Sequence, residues 1–363
     1  MIRFNLLSIG LVLLIVMAGF LPSCAQSQSV DAERLALAQL VRATGGGKGL
    51  PWCFRVSPDP ILQSGQLEDG ATWNDPSVLY DAPARQFVMY LSADHKFDQN
   101  IQIWRMISVD GTHWALAPHH PVLSATSGAW DRKAIETPSV VQFKGQYYMF
   151  YTAYGTNLRD FLDYKIGYAV SSDGINWTKV NGPLVQPTAP RAIPNFDFHQ
   201  YIVAEPGAVV VNDRLIVYFT AVGADRDLQT TLQTIGMIES EDGVNWTAPV
   251  QVLKPDQTVY PRTKNIKGFS SPGAAVIRGR VHLFTSVATD EPYVQIALHH
   301  AVSPDGRVGW FQDRAPFLEG KNYPWLQDSV TSPTVLMVGD VVHFWFSGHA
   351  GYTLSLGHGI CVE

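Results

Sequence analysis

The chain has 363 residues, 46% of them hydrophobic and only 16% charged, with a formal net charge of -6. That length allows a large core in one to three domains. The mild negative charge, with no basic patch or stripe, excludes a phosphate-backbone binder and so a nucleic-acid partner.

Residues 1–24 read as a processing segment, because Arg3 gives a short basic region and residues 6–21 form an almost unbroken apolar run. Leu21-Pro22-Ser23-Cys24-Ala25 resembles a bacterial lipobox, in which Cys24 is acylated and becomes the first residue. An ordinary secretion signal is the competing reading. Either way the protein is expected to be exported, periplasmic or at the cell surface. Lipidation of Cys24 would anchor it to a membrane, as an outer-membrane lipoprotein. Residues 25–49 read as a tether with a short helical stretch at 32–41 and a Gly45-Gly46-Gly47 run. Residues 50–363 then read as one domain, beginning with a short strand at 52–56.

From Asp75 a repeating plan takes over. A polar turn runs into a short apolar strand at Trp73-Asn74-Asp75-Pro76, Glu136-Thr137-Pro138, Glu205-Pro206, Ser271-Pro272 and Ser332-Pro333. In the first unit strands are predicted at 76–80, 87–91 and 101–108, then a turn at Asp110-Gly111-Thr112-His113-Trp114 leads to a fourth. The second unit repeats this with 138–142, 146–151 and 165–171, the third with 207–211, 214–220 and 234–239, and the fourth with 273–277, 280–284 and 293–302. The tryptophans that close these turns, Trp114, Trp177, Trp246 and Trp310, lie 63, 69 and 64 residues apart. Asp-Gly supplies a tight hairpin turn, and the tryptophan is expected to pack where the outer strand meets its neighbour.

Four short strands repeated in phase cannot bury a face alone and must stack on their neighbours. The expected architecture is all-β, a five-bladed β-propeller of four-stranded antiparallel blades. A sandwich does not explain the phase, and a solenoid repeats at shorter intervals. The fifth unit offers only 333–337, 341–346 and 353–360, so the strand at 52–56 is expected to complete it and close the ring. That closure sets Cys53 beside Cys361 and predicts a disulfide between them; two buried free thiols are the alternative.

In such a ring the loops leading into the innermost strands open on one face. Asp75, Glu136 and Glu205 are expected at matching positions of units one, two and three, converging on a funnel, with Ser271 and Ser332 in the other two. Clustered carboxyls push their protonation apart, as cleavage of a glycosidic bond requires. Carboxylates that merely accept backbone N–H bonds are the plainer reading, and carboxylate clusters also suit Ca²⁺, so a structural Ca²⁺ or other ion in the central channel is a further expectation, although no cofactor is required.

These stretches resemble the five-bladed glycoside hydrolases, the group containing families 32, 43, 62, 68 and 117, over nearly the whole mature chain. Trp73-Asn74-Asp75-Pro76 is similar to the Asn-Asp-Pro stretch of the fructan and sucrose hydrolases, and Glu136-Thr137-Pro138 with Gly145-Gln146-Tyr147-Tyr148 to the second blade of family 43. The resemblance makes Asp75 the nucleophile or general base. The family sets a pKa-tuning Asp on blade three and the acid Glu on blade four, but here Glu205 and Ser271 stand in those places. Glu205 is therefore assigned as general acid, and Glu136 as pKa modulator or alternative acid. A carbohydrate substrate follows, attacked by hydrolysis, or by phosphate as in the family 130 phosphorylases. A glycan-binding propeller without catalysis is the non-enzymatic alternative. Substrate contacts are expected from Trp73, Asn74, Trp130, Asp131, Arg132, Arg191, His199, Lys267, Asp328 and His349. The oligomeric state is not legible.

Overall fold

The innermost strand of each unit is longer than its apolar core suggests, because it begins before the proline. A computed structural model describes residues 54–68, 70–95, 100–156, 161–190, 192 and 194–362. In it the inner strands are Ala71–Asp81, Ala134–Phe143, Ile202–Val211, Ile266–Ile277 and Ser329–Val338. Each pairs antiparallel with a second strand: Gln86–His95, Gln146–Tyr154, Arg214–Asp225, Arg280–Thr289 and Val341–Ala350. Third strands follow at Gln102–Ser108, Lys165–Ser171, Thr230–Ser240, Gln295–Ser303 and Thr353–Val362. Short fourth strands complete units one to four, for example Ala115–Leu116 and Val250–Leu253. The fold is therefore all-β and built of antiparallel sheets. Units three and four share one sheet through a single parallel pair, Gln233 with Gly268.

Each inner strand carries a bulge just where the sequence places its Xaa-Pro pair, for the register shifts between Asn74 and Ser77, Glu136 and Ser139, Ala204 and Gly207, Ser270 and Gly273, and Thr331 and Thr334. Proline has no N–H to give to the ladder, and a bulge is a place in a sheet that tolerates it. The polar residue before it is thus inside the strand and not in a turn preceding it.

Apolar residues on both faces of each sheet bury against the next unit. Separate cores lie between units one and two around Tyr90 and Met149, two and three around Phe150 and Phe219, three and four around Tyr218 and Phe269, and four and five around Phe284 and Phe344. A fifth core joins unit five to unit one around Trp345, Trp73 and Phe87. The Asp-Gly turns lock these contacts. In the first, Asp110 Oδ1 accepts the N–H groups of Thr112 and His113, and Ser108 Oγ accepts that of Gly111. The same pattern recurs around Asp173, Asp242 and Asp305. An aromatic on the second strand then grips the following unit's turn: Tyr90 donates to the Gly174 carbonyl, Tyr218 to that of Gly306, and Trp345 to that of Gly111. Gly174 has φ +70°, and a Cβ there would stand 2.6 Å from the Tyr90 hydroxyl, so the turn needs glycine twice over. The closing tryptophans pack edge-on to aromatics of the preceding unit, Trp177 on Tyr90 at 5.8 Å and Trp310 on Tyr218 at 5.9 Å.

The chain ends meet as the incomplete fifth unit requires. Arg55 and Val56 pair antiparallel with Ile360 and Gly359, and Leu62–Gln63 extends the same edge. Cys361 is buried and disulfide-bonded; its expected partner Cys53 lies outside the described residues, as do Cys24, the leader and the tether. Among the described residues no helix is long and apolar enough to cross a membrane.

Candidate functional site

Five residues that line one cavity have left-handed backbone although none is glycine: Asp75 (φ 53°), Thr137 (51°), Glu205 (53°), Ser271 (47°) and Ser332 (51°). Each precedes its proline. Such backbone is uncommon outside glycine and persists only where surroundings hold it. For four of them the hold is a relay of hydroxyls from one unit to the next. Asp75 N–H donates to Ser347 Oγ (2.8 Å), Thr137 N–H to Ser92 Oγ (2.8 Å), Glu205 N–H to Thr152 Oγ1 (2.7 Å) and Ser271 N–H to Thr220 Oγ1 (2.9 Å). The accepting hydroxyl always belongs to the second strand of the preceding unit, and for Asp75 that unit is the fifth. Just below, Gly207 comes so near Pro272 that a Cβ would lie 1.9 Å from its carbonyl oxygen.

This register corrects one expectation. Glu136 does not match Asp75 and Glu205: Thr137 takes that position, and Glu136 stands one residue earlier, level with Asn74. All three carboxyls nevertheless line one cavity of about 280 Å³, together with Asn74, Thr137, Tyr164, Thr220, Gln233, Lys267, Tyr293, Gln295, Thr331 and Ser332. A second cavity of about 290 Å³ lies along the channel, lined by the same ring and by apolar residues such as Val140, Val209 and Leu336.

The three carboxyls have different surroundings. Burial raises Asp75 to about 6, and nearby Glu205 adds to the rise, against the hydrogen bonds of Ser332 and Ser92; Ser332 Oγ donates to Asp75 Oδ1 at 2.6 Å. Burial raises Glu136 further, to about 8, with Asp75 and Glu205 adding repulsion and one Tyr164 hydrogen bond opposing it. Glu205 Oε2 accepts from Thr220 Oγ1 at 2.6 Å and from the Ser271 N–H at 2.9 Å. The set thus offers one carboxyl protonated at neutral pH, one near its titration point and one engaged as an acceptor.

The other expected contacts divide. Asn74 and Lys267 line the cavity. Lys267 is held by Asp290 Oδ1 at 2.9 Å and Thr231 Oγ1 at 2.6 Å, and burial lowers its pKa. Trp73 is a correction: it is fully buried, edge-on to Trp104, with its indole N–H given to the Gln66 carbonyl. The alternation of its strand turns that side chain into the core between units one and five.

Trp130, Asp131, Arg132, His199, Asp328 and His349 also lie outside the cavity lining. Trp130 stacks on Tyr151, and Asp131 is buried in an ion pair with Lys179 at 2.5 Å. Arg132 is exposed, with a long contact to the Ala129 carbonyl, while His199 is buried beside Phe198 and Asp197. Asp328 Oδ2 accepts the Gly351 N–H, and burial lowers His349. Arg191 lies outside the described residues. Among the described residues no group of three or more His, Cys, Asp or Glu is placed to hold a metal ion, so the ion expected in the channel finds no such ligand set. The reading of the sequence missed Tyr164, Gln233, Tyr293 and Gln295, which reach the cavity from or beside third strands and carry no local motif.

No protein-family model and no curated protein matches the chain. Solved structures do match its fold. A glycoside hydrolase superposes over 91% of this chain and 96% of its own with TM-score 0.67 and 13% identity. An α-L-arabinofuranosidase from Lactobacillus brevis covers 79% and 90%, with TM-score 0.57 and 14% identity. A β-1,2-mannobiose phosphorylase from Listeria innocua, in complex with β-1,2-mannobiose, covers 85% and 97%, with TM-score 0.60 and 13% identity. At such identities the likeness is one of fold, and it is to a propeller-like architecture.

Proposed function

We propose that the protein is a glycoside hydrolase whose Glu136 and Asp75 cleave a glycosidic bond inside the funnel. The observation that carries this reading is the convergence of Asp75, Glu136 and Glu205 from three successive units on one cavity that separates their protonation. Glu136, protonated at neutral pH, gives its proton to the leaving oxygen. Asp75, largely ionised at the same pH, acts as nucleophile or as base toward water. Glu205 raises both values and, held by Thr220 and Ser271, positions the sugar. These roles exchange Glu205 and Glu136 relative to the assignment from resemblance, because Glu136 is the carboxyl that burial and its acidic neighbours keep protonated.

A cavity at the small end of the ligand-site range (about 300–1,000 Å³) favours a terminal sugar and so exo action. Water is favoured over phosphate as the acceptor, since the one cation among the described lining residues, Lys267, is already engaged by Asp290. The same reading takes the five units as blades of a closed propeller spanning 50–363, stapled by Cys53–Cys361. It also takes the chain as exported and anchored through Cys24. A sugar-binding propeller without turnover is the second reading, favoured by Ser271 standing where the resembled families bring an acid.

The test is hydrolysis of a panel of aryl glycosides and oligosaccharides. Turnover that follows a bell-shaped pH profile and disappears in Asp75→Asn, with circular dichroism unchanged, supports the enzyme. Full activity in that variant sinks the assignment, and sugar binding without turnover favours the second reading.

A further inference from the structure

One wall of the funnel holds a polar pair that the cleavage chemistry leaves unused. Gln233 is only 5% exposed and lines the cavity, yet its Oε1 has no hydrogen-bond partner. Its Nε2 donates to the Tyr293 hydroxyl at 3.2 Å. Ser270 also hydrogen-bonds the Tyr293 hydroxyl. Ser270 Oγ in turn accepts from Gln295 Nε2 at 3.4 Å, and Gln295 Oε1 accepts from Ser329 Oγ at 3.3 Å. The chain thus sets the Tyr293 hydroxyl between Gln233 and Ser270 at the cavity wall. A phenol hydroxyl accepts as well as donates, so Tyr293, accepting from Gln233 Nε2 at the cavity wall, retains a proton of its own to direct. Buried polar groups in folded proteins are rarely left unmet, and each unmet one asks for a partner.

We propose that Tyr293 and Gln233 form a donor–acceptor pair that reads two adjacent hydroxyls of the bound sugar. The Tyr293 O–H donates to one sugar oxygen, and Gln233 Oε1 accepts from the neighbouring hydroxyl. The ligand class is a sugar with an intact vicinal diol on the side facing units three and four. This inference rests on the funnel being a sugar site but not on turnover there. A site built to hydrogen-bond a hydroxyl rejects the analogue lacking it strongly, because its own buried groups are then left unpaired.

The experiment is calorimetric titration of the full chain with D-xylose, L-arabinose, D-galactose, D-glucose, D-mannose and L-fucose, then with each singly deoxygenated form of the tightest binder. Wild-type protein is expected to lose about 10²-fold or more in affinity for deoxygenation at one or two adjacent positions, within the ceiling such sites reach. In Tyr293→Phe and in Gln233→Met that loss shrinks to a few-fold at the same positions and stays unchanged elsewhere, which a merely structural role would not produce. Tyr293→Phe keeps the ring and so guards against misfolding. Unchanged discrimination in both variants overturns the inference even if the protein hydrolyses glycosides. Altered discrimination without turnover supports it while the hydrolase reading fails, and no binding by any of the six sugars overturns the inference whatever the hydrolysis panel shows.

Discussion

In units one and three the residue before the proline is a carboxylate, whereas in units four and five it is a serine, and the two kinds meet as acceptor and donor. Ser332 gives its hydroxyl proton to Asp75, and the Ser271 N–H goes to Glu205. Read by position alone, a serine there is an absent acid; in the structure it supports a neighbouring unit's acid, Ser332 through its hydroxyl and Ser271 through its backbone N–H. Unit two stands apart. It sets Thr137 at the ring position and moves its carboxyl back to Glu136, beyond the reach of these donors, with a Tyr164 hydrogen bond as the one contact opposing its desolvation. The same bulge therefore yields a supported carboxylate in units one and three and a proton-holding carboxyl in unit two.

The largest effect is expected from removing the supported carboxylate. Asp75→Asn should lower kcat by about 10³–10⁴-fold, the upper part of what a positioned acid–base group contributes, measured on the best aryl glycoside of the panel. Glu136→Gln should lower kcat by about 10²–10³-fold on substrates with poor leaving groups and remove the basic limb near 8 from the pH profile; a surviving limb would return the acid role to Glu205. Ser332→Ala should act more mildly. Removing a donor to the charged Asp75 raises its pKa, so the acidic limb near 6 should move upward by about one unit, equivalent to about 1.4 kcal/mol, with the basic limb in place.

The comparison can also be sharpened through stability. Glu136 has its folded-state value raised from 4.5 to about 8, so the folded protein holds a proton the unfolded chain has lost. Its contribution is full below about 4.5 and is lost as pH rises through 8. Melting temperature should therefore fall between pH 5 and 9, and Glu136→Gln should flatten that fall and be the more stable protein at pH 8.5. The smallest effect on activity is expected from Trp345→Phe. Losing the indole bond to Gly111 at the seam of units five and one should cost about 1–3 kcal/mol of stability in denaturant melts and leave both pH limbs where they were.

The sequence by itself determined the repeat. The Asp-Gly turns and their tryptophans, the alternation of apolar strands and the five Xaa-Pro pairs fix which segments pair, because hairpin turns and side-chain alternation are local properties. It also made Asp75, Glu136 and Glu205 visible as a set and showed that the last unit lacked a strand. Only the tertiary structure decided how those groups are used. The bulge gives the residue directly before each proline its left-handed turn, so a one-residue offset separates Asp75, next to Pro76, from Glu136, two residues before Pro138. Trp73 sits in the same stretch as Asp75 and goes to the core, because successive residues of a strand face opposite ways. Gln233 and Tyr293 belong to different units, 60 residues apart, and carry no motif that marks them. Their meeting, like the serines' support of neighbouring acids, arises from how the units stack, and contacts between stacked units leave no periodic trace along the chain.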